Sequence, residues 1–154
     1  MRLETKRQAA LDALDGLRTA QEPSLALLQK IISAACTRIP LLANAKTVDR
    51  LFGFTKVGAW TEAALALIEL ELPLWTVRRL AYENGEWLCS LSRQPNLPMT
   101  FDDCAEATHE VLPLAIISAF VEASRRRDEM NEAVSTVPQI QPWPGQIICC
   151  ENYR

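Results

Sequence analysis

The sequence predicts an α+β fold, with four to five helices packed around a central β-hairpin in a single globular domain over residues 1–154. Three observations carry that prediction. Apolar residues recur at helical spacing over several separate stretches. Two β-prone segments flank the dipeptide Asn84-Gly85. The run Leu114-Ala115-Ile116-Ile117-Ser118-Ala119-Phe120-Val121 is apolar almost all round, which suits the centre of a core. At 154 residues, 49% hydrophobic and 23% charged, the chain can bury one core and is too apolar for disorder.

The first helix is expected from Leu3 to about Ala20, where Leu3, Ala10, Leu14 and Leu17 form one stripe opposite Glu4, Lys6, Arg7, Asp12, Asp15 and Arg18. Gln21-Glu22-Pro23-Ser24 breaks it. Pro23 suits a first helical turn, so a second helix follows to about Ile39, with Leu25, Leu28, Ile32, Ala35 and Ile39 on its buried stripe. Pro40 to Lys56 is expected to be irregular apart from a short helix over Thr47–Phe52, closed by Gly53. A third helix runs from about Ala59 to Glu71. Trp60, Ala64, Leu67 and Ile68 share its inner face, and Pro73 stops it.

The hairpin pairs the segment Leu74–Tyr82 with Trp87–Ser92. Asn84-Gly85 favours a type I′ turn, in which both central residues take positive φ. A two-residue loop then sets Glu83 opposite Glu86, Tyr82 opposite Trp87, Leu80 opposite Cys89 and Arg78 opposite Leu91. Tyr82, Trp87, Leu80, Cys89 and Leu91 form the expected core face. On the other face Ala81 meets Leu88, Arg79 meets Ser90, Val77 meets Ser92, and Trp75 meets Gln94.

A fourth helix is expected to open at Thr100, with Asp103 in its first turn, and to be kinked or split at Pro113. Ile116 and Phe120 belong to the core, with Leu28 and Ile32 from the second helix. Arg125-Arg126-Arg127 is placed near the helix end, where cations favour the dipole. Pro138, Pro142 and Pro144 mark an extended tail at about 135–154, and Ile147-Ile148-Cys149-Cys150 is a candidate third strand.

Several function classes are excluded or weakened. Lys+Arg 16 against Asp+Glu 19 gives a net charge of −3, which argues against nucleic-acid binding through bulk charge. The longest apolar run, Val111 to Val121, falls far short of the ~20 residues a membrane span needs. A charged start without an apolar stretch predicts no secretory signal, and five cysteines, an odd number, suggest reduced thiols in the cytoplasm. Nucleophile elbow, zinc-protease, P-loop and dinucleotide signatures are all missing from the sequence, and no cofactor is implied.

Two constellations remain. Glu106 and His109, three apart on the expected fourth helix, would share a face and are a candidate metal pair, short of ligands within one chain. Trp75, Arg79, Ser90, Ser92 and Gln94, on the polar hairpin face, combine an aromatic plane, a guanidinium and adaptable hydroxyls, the composition of a protein-recognition surface. The sequence therefore points to a non-enzymatic interaction or adaptor protein, self-associating as a homodimer through an open hairpin edge. The alternative is a small metal-binding protein or enzyme centred on Glu106 and His109.

Overall fold

In a computed structural model the described residues are 2–42 and 46–135, and they form five helices and a three-stranded antiparallel sheet. Helix α1 spans Arg2–Thr19 and buries Ala10, Ala13 and Leu17. Helix α2, Leu25–Ala35, is capped by Ser24, whose hydroxyl accepts from the Leu27 amide; Pro23 therefore precedes the cap rather than sitting in the first turn. Extended backbone at Cys36 ends α2, and the apolar residue Ile39 belongs to a short 3-10 turn, Ile39–Leu42.

Helix α3, Lys46–Lys56, runs straight through Gly53 rather than closing there, and the glycine with positive φ that follows the helix is Gly58. Helix α4, Trp60–Glu71, packs on α3, and Ala63, Ala64, Leu67, Ile68 and Glu71 form its buried face. The longest helix, α5, spans Leu112–Ser135 and lies against α1, α2, α4 and the sheet. Leu114, Ile116 and Phe120 are fully buried within it, as is Leu28 of α2, while Ile32 is only partly buried. No helix of the described residues is long and apolar enough to cross a membrane.

Strands β1, Thr76–Glu83, and β2, Glu86–Ser92, form the expected hairpin. Asn84 has φ 55° and Gly85 φ 87°, the positive pair that a type I′ turn needs. From Arg79 to Glu83 the register agrees with the sequence reading, including Tyr82 opposite Trp87 with ring centroids 5.1 Å apart. Beyond Arg79 it does not. A bulge between Val77 and Arg79 inserts one residue, so Val77 stands opposite Leu91 and Thr76 opposite Ser92. An extra residue on one strand is invisible to alternation counted from the turn.

The third strand corrects the sequence reading most. Residues Ala105–His109, expected in a helix, form β3, paired antiparallel to β2 in the order β1-β2-β3. Ala105 is buried and Ala107 partly buried under α5, while Glu106 and Thr108 are exposed, the alternation of a strand. Pro113 then falls in the first turn of α5, where its missing donor costs nothing, so it starts a helix instead of kinking one. The arginines 125–127 lie mid-helix rather than at its end. The tail expected at about 135–154, with its candidate strand, lies outside the described residues from 136 onward.

Candidate functional site

The polar hairpin face is largely closed by the chain itself. Ser90 and Ser92 are both 0% exposed and Trp75 is buried, leaving Arg79 and Gln94 as the exposed members of the predicted group. The chain between β2 and β3 returns to this face through Asp102. Its carboxylate accepts from Ser92 Oγ at 2.6 Å, from the Cys104 thiol at 3.1 Å and from Arg78 Nη1. Arg78 also donates to the Leu97 carbonyl at 2.7 Å, fastening the same loop. The bulge is what makes Arg78 an additional residue on β1, and sequence alternation gave no reason to expect its pairing with Asp102.

Charge in this cluster is fixed rather than reactive. The Ser92 hydroxyl, with smaller help from Cys104 and Arg78, holds the Asp102 carboxyl below its ordinary value against the cost of desolvation. Burial, and then the neighbouring Asp102, push the Cys104 thiol up, so it is a hydrogen-bond donor and a poor nucleophile at neutral pH. Ser90 lies beside the same thiol, and its buried hydroxyl has no well-formed hydrogen bond in the structure.

Glu106 and His109 do not share a face. Three residues apart on a strand means opposite sides of the sheet, and Glu106 is exposed while His109 faces the helices. Both ring nitrogens of His109 are occupied. Nδ1 accepts from the Val111 amide at 2.9 Å, so Nε2 carries the proton and donates to the Leu17 carbonyl at 3.1 Å. The ring thus joins the start of α5 to the last turn of α1. Among the described residues no group of three or more His, Cys, Asp or Glu side chains is placed to hold a metal ion.

A second polar centre was missed by sequence reasoning. Glu71, at the end of α4, is fully buried and accepts from the amides of Thr37 at 2.6 Å, Arg38 at 2.9 Å and Ile39 at 3.1 Å, and from the Thr37 hydroxyl. Arg127 of α5 donates to the same carboxylate at 2.9 Å and also reaches the Ala35 carbonyl at 3.3 Å. Burial alone would raise the Glu71 carboxyl. The Thr37 amide, the Arg127 guanidinium and the other two amides more than reverse this, leaving it below its ordinary value. The signal was available, because Ala64, Leu67, Ile68 and Glu71 fall on one helical stripe. Arg125 pairs with Glu122 and Glu129, and Arg126 with Glu122 and Asp103. All three central arginines of α5 are therefore engaged within the fold.

One open surface is β1, an outer strand of the sheet. Among the described residues β1 pairs only with β2, so one side of its backbone is an open edge there, as is one side of β3 at the other end of the sheet. Helix α5 covers β2 and β3, and the inward-facing residues of β1 remain uncovered: Val77 is 37% exposed, Leu80 43% and Tyr82 60%. The Tyr82–Trp87 pair forms as expected, but on a face that is buried only on its β2 half. On the reverse face of β1, Arg79 bonds Glu83 at 2.5 Å, both exposed. Comparison with protein-family models, curated proteins and solved structures finds no match to this chain.

Proposed function

We propose that this is a non-enzymatic protein-interaction protein that self-associates through the free edge of β1. One observation carries the reading: an eight-residue outer strand whose backbone edge is unpaired among the described residues, with three uncovered apolar side chains, Val77, Leu80 and Tyr82. Open edges are templates for strand addition, and apolar side chains beside such an edge give the added strand something to bury. Of the polar group, Arg79 on β1 and Gln94 beyond the end of β2 are exposed and open to a partner, while Trp75, Ser90 and Ser92 are buried. The proposed partner is protein rather than nucleic acid or membrane, consistent with a net charge of −3. A cytoplasmic location belongs to the same proposal and is supported by free thiols at Cys36, Cys89 and Cys104.

Light scattering of the full chain at micromolar concentration tests it. The expected mass is twice 17.2 kDa, falling to 17.2 kDa when Leu80→Lys and Tyr82→Lys are combined. A wild-type mass of 17.2 kDa at every concentration would remove the reading.

A further inference from the structure

We infer that β1 pairs with β1 of a second copy in one particular register, antiparallel about a two-fold axis through Ala81. The inference rests on the self-association proposed above. The two-residue turn makes Glu83 and Glu86 a hydrogen-bonded pair, so along β1 the backbone groups of Glu83, Ala81 and Arg79 point towards β2. The N–H and C=O of Leu80 and Tyr82 therefore point to the free edge.

With the axis at Ala81, Leu80 stands opposite Tyr82 of the second copy and Tyr82 opposite its Leu80. Each of these pairs can exchange both backbone bonds across the interface. Ala81 meets Ala81 as a close, non-hydrogen-bonded pair, with Cα atoms about 4.5 Å apart. Arg79 meets Glu83 in the same close class of pair at both ends, so each copy offers one cation and one anion to its mirror position. Leu80 and Tyr82 of both copies then lie side by side on the face carrying the two α5 helices, and they bury one another.

Neighbouring axes lose this complementarity. An axis at Tyr82 sets Glu83 against Ala81 and Arg79 against Gly85, so neither charge finds its opposite. An axis at Leu80 sets Arg79 against Ala81 and brings the bulged Arg78 into the ladder. The bulge also twists the first half of β1 away from a straight partner, which confines pairing to Arg79–Glu83. Within one chain Arg79 and Glu83 already bond each other along the strand, so the dimer exchanges an existing ion pair and desolvates no lone charge.

A charge-reversal cycle tests the register. In sedimentation equilibrium at low salt, Arg79→Glu alone and Glu83→Arg alone should each weaken dimerisation about tenfold or more, because each sets like charges opposite one another twice. The double variant, Arg79→Glu with Glu83→Arg, should return close to wild type. Under mild oxidation Ala81→Cys should form a disulfide between its own copies, located at residue 81 by peptide mapping, while Leu80→Cys should not. A wild-type dimer that ignores the charge reversals and leaves Cys at 81 unlinked overturns the register while self-association stands. A wild-type chain that stays monomeric overturns both.

Discussion

Without the Glu71 side chain, three backbone amides, a hydroxyl and the Arg127 guanidinium would all face the same emptied pocket. Breaking a buried pair from one side typically costs about 3–5 kcal/mol, and Glu71→Ala should destabilise by that order in urea titrations. The same carboxylate gives acid sensitivity a source. Its folded value lies below its ordinary 4.5, so its contribution is complete above that value and is lost as pH falls through the lower folded one. Urea midpoints measured from neutral pH down to about 3 should fall more steeply for wild type than for Glu71→Gln. Parallel slopes would assign the acid loss elsewhere. A second residue-scale test concerns Cys104, whose thiol is raised by burial and then by Asp102. Asp102→Asn should shift the pH midpoint of Cys104 alkylation downward, read by peptide mapping; an unmoved midpoint would show that burial alone sets it.

Two glycines in neighbouring element types should respond with opposite signs. Gly85 holds φ 87° at the hairpin tip, and a β-branched side chain there is strained although no atom crowds it. Gly85→Val should cost about 1–2 kcal/mol and lower Tm. Gly53 lies in the interior of α3 with nothing within 4 Å of where a Cβ would sit. Gly53→Ala should stabilise by about 0.5–1 kcal/mol, because alanine leaves less backbone freedom to lose on folding. A Tm that falls on this change would contradict a continuous α3. The same scale explains the exchange of helix for strand at Ala105–His109. Acidic residues after Thr100 resemble a helix start, yet Asp102 is spent on Arg78, Ser92 and Cys104, and Ala105–His109 complete a ladder with β2.

At the scale of the whole molecule, α5 organises both layers. Its apolar half, Leu114–Val121, fills the space between the sheet and the other helices, and its charged half pairs with α4 through Arg127 and with α1 through the Lys6–Asp128 bridge at 2.8 Å. It covers β2 and β3 and leaves β1 uncovered, which is why Val77, Leu80 and Tyr82 are exposed although they share a face with the buried Cys89 and Leu91. Self-association through that edge would link stability to concentration. Wild-type Tm should rise over a tenfold or larger increase in protein concentration, and Leu80→Lys should abolish the dependence, as scanning calorimetry would show. A concentration-independent Tm in a protein that scatters as a dimer would place the contact in a region that does not stabilise the fold.

The sequence by itself determined the features whose physics is local. The type I′ turn follows from two adjacent residues that accept positive φ, and it sets the register for the next five positions of β1. Helix α4 and the apolar half of α5 follow from periodicity, because a stripe at helical spacing needs no distant partner to be recognised. Tertiary structure decided what depends on residues far apart in the chain. Ala105–His109 is a strand because β2 offers it a ladder and α5 covers its alanines. His109 links α1 to α5 across 92 positions of sequence, so its pairing with the Leu17 carbonyl was not legible from spacing. The bulge at Arg78, and with it the closing of the polar hairpin face by Asp102, depended on where the loop after β2 returns. That β1 and β3 lie at the edges of the sheet, with β1 the one left uncovered by α5, was equally a matter of assembly. A strand's own sequence shows how it can pair, and the remaining chain decides which of its sides is still free.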